Sequence, residues 1–138
     1  MPSLKEDTAA AVNLLANDPK LCEIMELDTR TKKASQILAT RQHPGEAKNV
    51  PIINVYVQSQ GNVGGNVTLN QLVVDVYTPL TTQRQSGVSF DITRRIKEVL
   101  DRKPIGRGLR WQTTDPDRRS NTGWHKATVR FTFLSAQY

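Results

Sequence analysis

The stretch that decides the fold reads Ile52-Ile53-Asn54-Val55-Tyr56-Val57-Gln58, then Gly61-Asn62-Val63-Gly64-Gly65-Asn66, then Thr68-Leu69-Asn70-Gln71-Leu72-Val73-Val74-Asp75-Val76-Tyr77. Ile53, Val55 and Val57 recur at every second position. Leu72, Val74 and Val76 do the same, against Gln71, Val73, Asp75 and Tyr77 on the other face. That period marks half-buried strands. The piece between them is rich in Gly and Asn, which tolerate positive φ, and reads as a turn. Two such strands joined by a flexible tip form an antiparallel hairpin, which Thr78-Pro79 ends.

Toward the C-terminus, Val88, Ile92, Ile96, Val99 and Leu100 make the apolar stripe of a helix. It runs from Ser86 or Gly87 to Arg102, and Pro104 and Gly106 stop it. Leu109, Trp111 and Thr113 alternate in a further strand, Asp115 to Thr122 reads as a polar turn, and Gly123 to Leu134 is a long strand. Its Ala127, Val129, Phe131 and Phe133 face inward, with Lys126, Thr128, Arg130 and Thr132 outward and solvated.

Toward the N-terminus, Ser3 and Glu6 fit a capping box. Leu4, Thr8, Ala11, Val12 and Leu15 then share one helix face. Asp18 suits an N-cap and Pro19 the first position of a second helix, reaching about Glu26 and burying Leu21, Ile24 and Met25. Cys22 is expected to pack there as a small apolar residue. Residues 27–50 hold Arg30, Lys32, Lys33, Arg41, His43 and Lys48 and keep no period. They read as a long basic loop or arm that orders on a partner, with a short strand around Ser35 to Thr40. The sum is one domain over residues 1–138 of class α+β. It has a four-stranded, mainly antiparallel sheet with helices packed on one face, in the order α-α-β-β-α-β-β.

Composition narrows the function. The chain has 138 residues, 37% hydrophobic and 23% charged, which argues against a disordered tail. No run approaches the ~20 apolar residues that span a bilayer, so no membrane partner is expected. One cysteine, Cys22, allows no disulfide within the chain, and the start lacks the apolar core of a signal peptide. Synthesis and folding in cytoplasm is the expectation. The net charge is +6, and residues 94–130 carry eleven basic side chains against four acidic ones. Such an excess favours nucleic acid, anionic surfaces or acidic protein patches.

Catalytic constellations are scarce. His43 and His125 stand apart, and with a single cysteine neither HxxxH nor CxxC spacing occurs, so no metal and no cofactor is expected. Asp115-Pro116-Asp117 reads as a turn. The glycine-rich tip lacks the Lys-Ser/Thr of a phosphate loop and joins two strands. No paired carboxylates support a nuclease, and the chain is not expected to be an enzyme. The basic residues remain: Arg94, Arg95 and Lys97 on the helix, Arg110, Lys126 and Arg130 on the closing strands, Arg118 and Arg119 at their tip. The outward face of the last strand has no aromatic for stacking bases. Two readings stay open for these charges, a solvated or subunit-pairing surface and salt-sensitive phosphate contact.

Several segments, in their order, resemble the tail terminator and related neck proteins of long-tailed bacteriophages. They are Val12-Asn13-Leu14-Leu15-Ala16-Asn17-Asp18-Pro19, then Pro51-Ile52-Ile53-Asn54-Val55-Tyr56-Val57, then Asn70-Gln71-Leu72-Val73-Val74-Asp75-Val76-Tyr77, and Ile92-Thr93-Arg94-Arg95-Ile96-Lys97-Glu98-Val99-Leu100 before a two-strand hairpin. The resemblance covers most of the chain. It implies a structural virion protein, assembled in the host cytoplasm, that forms a ring, commonly a hexamer. That ring caps the tail tube and meets the head connector or stopper, while DNA passes through its lumen. It implies no cofactor and no catalysis. The basic set Arg94 to Arg130 then becomes a candidate for lumen, DNA or acidic-partner contacts. Arg30, Lys32, Lys33, Arg41, Asn62, Gly64 and Gly65 become candidates for loops between subunits or rings. Another neck layer (stopper or head completion) and a small basic nucleic-acid-binding module are the alternatives.

Overall fold

The computed structural model describes residues 4–45, 50–79, 85–119 and 123–136. In chain order these form α1 (Leu4–Ala16), α2 (Pro19–Met25), α3 (Arg30–Gln36), β1 (Ile37–Leu38), β2 (Ile52–Gly64), β3 (Val67–Pro79), α4 (Gln85–Leu100), β4 (Arg110–Arg119) and β5 (Trp124–Ala136). Asp18 caps α2 as its chemistry requires: its carboxylate accepts from the Leu21 N–H at 2.8 Å, with Pro19 in the first turn. Ser3 of the expected capping box lies outside the described residues.

The strands make one sheet in the order β1-β2-β3-β5-β4. β2 and β3 pair in the register Ile53↔Val76, Val55↔Val74, Val57↔Leu72. This puts the alternating apolar residues of both strands on one face. β5 continues that face, with Val74↔Val129 and Val76↔Ala127. Ala11 and Leu15 of α1 and Ile92, Ile96 and Leu100 of α4 pack on it in one core. The expected layout, helices on one face of a mainly antiparallel sheet, is therefore present.

Two details differ. The sheet has five strands among the described residues, not four, because Ile37 and Leu38 pair in parallel with Ile53 and Asn54. β1 is the short strand expected around Ser35 to Thr40, and what differs is that it joins the main sheet. The element order is accordingly α-α-α-β-β-β-α-β-β. Residues 27–45 are also not a free arm. Thr29 caps α3 by accepting from the Lys32 N–H at 3.1 Å, and Leu27, Gln36 and Ile37 are buried. A helix of seven residues with so few buried positions leaves almost no periodic trace.

Strand pairing also runs past the apolar alternation. β2 and β3 extend through Gly61-Asn62 with two irregularities of register. Only Gly65 and Asn66 turn the hairpin. Asp115-Pro116-Asp117 lies inside β4, at an irregularity between Asp115 and Arg118, not in a turn. A β-bulge absorbs the proline that a regular ladder would reject.

After α4 the chain folds back beneath β5. Gly106 has φ +58, and a Cβ there would lie 2.5 Å from the Leu134 carbonyl oxygen and from the Phe133 ring. The neighbouring Arg107 N–H donates to that carbonyl at 2.9 Å. Gly106→Ala combines a left-handed backbone with a clash against main chain. It is expected to cost about 2 kcal/mol or more, whereas Gly61→Ala, with open space around it, costs less. Urea denaturation of both variants checks the ranking.

Candidate functional site

The basic residues singled out from sequence divide between two faces of the sheet. On the face away from the helices lie the even-numbered side chains of β5, opposite Asn54, Tyr56, Val73, Asp75 and Tyr77. This face is less solvated than the alternation implied. Val73, Asp75 and Thr128 are all buried. Asp75 sits at its centre: it accepts from the Thr128 hydroxyl at 2.8 Å, Lys126 Nζ lies 3.8 Å away, and its charge, after burial, helps to raise the Tyr56 phenol. Burial, reinforced by the Asp75 charge, pushes the Tyr77 phenol up to about 12. Arg130 is bound to the Asp115 carboxylate across the β4–β5 pair.

Residues 39–45 form a strap over this face. Arg41 lies 4.8 Å above the Tyr56 ring, and the Asn54 amide donates to the Gln42 carbonyl at 2.8 Å. His43 meets the Tyr77 ring edge-on at 5.3 Å, and the Trp124 indole N–H donates to the Gly45 carbonyl at 2.8 Å. Below it, a row of amides crosses the sheet. Arg41 donates to Gln58 (3.4 Å), Gln58 to Gln71 (2.8 Å) and Gln71 to Gln112 (2.8 Å).

The α4 cations lie on the helix side. Arg95 is a structural latch: its guanidinium forks onto the Asp18 carboxylate at 2.8 and 2.7 Å and reaches Glu98 at 3.0 Å. Arg94 pairs with Glu98 at 3.3 Å, and Lys97 Nζ lies 3.7 Å over the Trp111 ring. Arg110 and Arg118 are exposed on β4, and the Arg119 side chain lies outside the described residues. Thus Arg94, Arg95, Lys97, Lys126 and Arg130 all have partners within the chain.

The loop candidates are likewise placed. Arg30, Lys32 and Lys33 are on α3, where Lys32 pairs with Asp28 at 2.8 Å. At the hairpin tip, Asn62 accepts from the Gly64 N–H at 2.7 Å and donates to the Gly65 carbonyl at 3.1 Å. Cys22 is half-buried and donates to the Ala16 carbonyl at 3.3 Å. Among the described residues no group of three or more His, Cys, Asp or Glu is placed to hold a metal ion, and no helix is long and apolar enough to cross a membrane.

Sequence reasoning missed one feature. Phe90 and Trp111 are 62% and 38% exposed and border a groove of about 360 Å³ between α4 and β4. The signal was available, since Phe90 lies off the Val88-Ile92-Ile96 stripe, on the same helix face as Arg94 and Lys97.

No protein-family model matches this sequence, and no curated protein matches it. Among solved structures the fold is similar to a chain of the virion of a native gene transfer agent particle. The TM-score is 0.60 at 13% identity, over 91% of this chain and 90% of that one.

The Asp18–Arg95 latch carries a pH signature. The Arg95 hydrogen bonds hold the Asp18 carboxyl below the usual carboxylate range, ahead of the opposing effect of its burial. A depressed folded value means the stabilisation is complete above the unfolded value of about 4, and is lost as pH falls through the lower folded value. Asp18→Ala is expected to lose about 1–2 kcal/mol at pH 7, from the cap and the latch together. The gap to wild type should close in strong acid, as read by denaturation across pH.

Proposed function

We propose that this chain is a structural protein of a phage-type virion, and specifically a tail terminator. Its subunits close into a ring, commonly of six, that caps the tail tube and faces the head connector, with DNA passing through the lumen. The observation that carries the reading is the likeness of fold to a gene transfer agent virion chain, which spans nine-tenths of both chains. The order of segments in the sequence adds the finer role. A non-catalytic role is part of the proposal and rests on the lack of paired catalytic or metal-ligand spacing in the sequence.

The physical layout suits a ring subunit. A head-to-tail contact closes a ring when two different surfaces of one subunit complement each other. β1 at one margin of the sheet is two residues long, and β4 at the other is ten. These margins differ in length and chemistry, as a heterologous contact requires. The cations committed to internal pairs support structural roles for much of the basic set. Arg110 and Arg118 on β4 are the candidates for a lumen or an acidic neighbour.

Light scattering across concentration and salt, with and without tail tubes, tests this reading. The expected result is a discrete ring-sized oligomer, or a monomer that becomes one at tube ends seen by electron microscopy. Binding to filled heads in place of tube ends would move the protein to a stopper or head-completion layer. A monomer that ignores tubes but binds duplex DNA, with affinity falling steeply as salt rises, would replace it with the nucleic-acid module.

A further inference from the structure

The groove beside α4 follows from the size of the helix layer. A helix is about 10 Å across and a strand takes about 4.8 Å of sheet, so one helix covers about two strands. α1 lies over β1 and β2, while the single helix α4 has to serve β3, β5 and β4 together. The fifth strand is left without a helix of its own. There the helix-side face of β4 shows Trp111 and Thr114, and α4 supplies a wall of Phe90, Arg94 and Lys97.

We propose that this groove docks an acidic amphipathic helix of a partner protein, in the position of a third helix of the layer. Its apolar face would lie on Phe90 and Trp111, and its carboxylates would point to Lys97 and Arg94. Three observations select this occupant. Exposed aromatics side by side are the residues that anchor protein interfaces. The wall carries Lys97 and Arg94, the latter shared with Glu98 at 3.3 Å, and among the described residues the one carboxylate in the lining, Asp115, is already bound by Arg130. An added β-strand fits poorly, because β4 is irregular between Trp111 and Thr113 and again between Asp115 and Arg118, and Pro116 has no N–H to offer. The inference stands on the groove alone and does not depend on the ring reading.

The test uses the full chain labelled with ¹⁵N and three probes. The first is a synthetic helical peptide with Leu and Phe on one face and Glu on the other. The second is its twin with Lys for Glu, and the third is a short oligothymidine. The acidic peptide is expected to shift amide resonances of 89–97 and 111–116 and to change Trp111 emission. The Lys twin should bind at least about tenfold more weakly. Arg94→Glu with Lys97→Glu, or Phe90→Ser, should weaken the acidic peptide by about tenfold, while Lys126→Glu on the opposite face leaves it unchanged. No shift at about 1 mM peptide, equal binding of the twins, or shifts on the opposite face would overturn the proposal. So would tighter binding of oligothymidine at these residues, which assigns the groove to nucleic acid. Shifts of the same residues with protein concentration alone would assign it to a second copy. The wild-type shift map decides among these even if a variant fails to fold.

Discussion

A carboxylate in the middle of the central strand sets the terms for one whole side of this molecule. Asp75 is 4% exposed, and its strand is paired on both flanks, with β2 and β5. Burying an unpartnered charge costs far more than any single contact returns. The Thr128 hydroxyl and the Lys126 ammonium meet it from the neighbouring strand β5. Residues that would otherwise point into water become committed to the sheet. The outward face of β5 is therefore a second, polar layer of the structure.

That layer needs a cover, and the basic segment after β1 supplies it. Leu38 joins Ile52, Tyr77 and Trp124 in a small apolar cluster on this side, and His43 and Gly45 close over its rings. Main-chain polar groups of the strap are bound by side chains of the sheet, which lets loop backbone lie against a buried surface. The chain thus serves both faces in turn: α1 and α2 on one, the strap on the other, with β1 at the crossing. The helix side is held differently. There the apolar core does most of the work, and the Arg95 fork onto Asp18 ties the start of α2 to the middle of α4.

How much of this could be read from sequence depended on length and period. Four long strands and α1, α2 and α4 were legible from their apolar spacing, though β2 and β4 run on past the expected ends at Gln58 and Thr113. The Asp18-Pro19 start of α2 was legible because its chemistry is local. β1 was expected as a short strand within Ser35 to Thr40, though not as a member of this sheet, whereas α3 was not legible, because its seven residues from Arg30 to Gln36 hold no large apolar side chain to set a repeat. The continuation of β4 through Asp115-Pro116-Asp117 was hidden by residues whose local preference is a turn, and pairing with β5 overrode it. The basic set was legible as a list and misleading as a patch. Arg95 and Arg130 belong to internal pairs because of partners at Asp18 and Asp115, and in the case of Asp18 the separation is too great for any local pattern. Phe90 was visible as an aromatic off its helix stripe, but only the position of β4 gives it a groove to border.

The row of amides under the strap has a direction. An arginine offers donors and no acceptor. With Arg41 at one end, the Gln58 oxygen must turn toward it, which turns the Gln58 nitrogen to Gln71, and so on to Gln112. Reversing one amide within the row would require reversing its neighbours, and the guanidinium disfavours that. A cation at the β1 margin consequently favours one orientation of the Gln112 amide on β4, across the width of the sheet. The row works as a polarity relay: it transmits no motion, but it writes the sign of one margin onto the other.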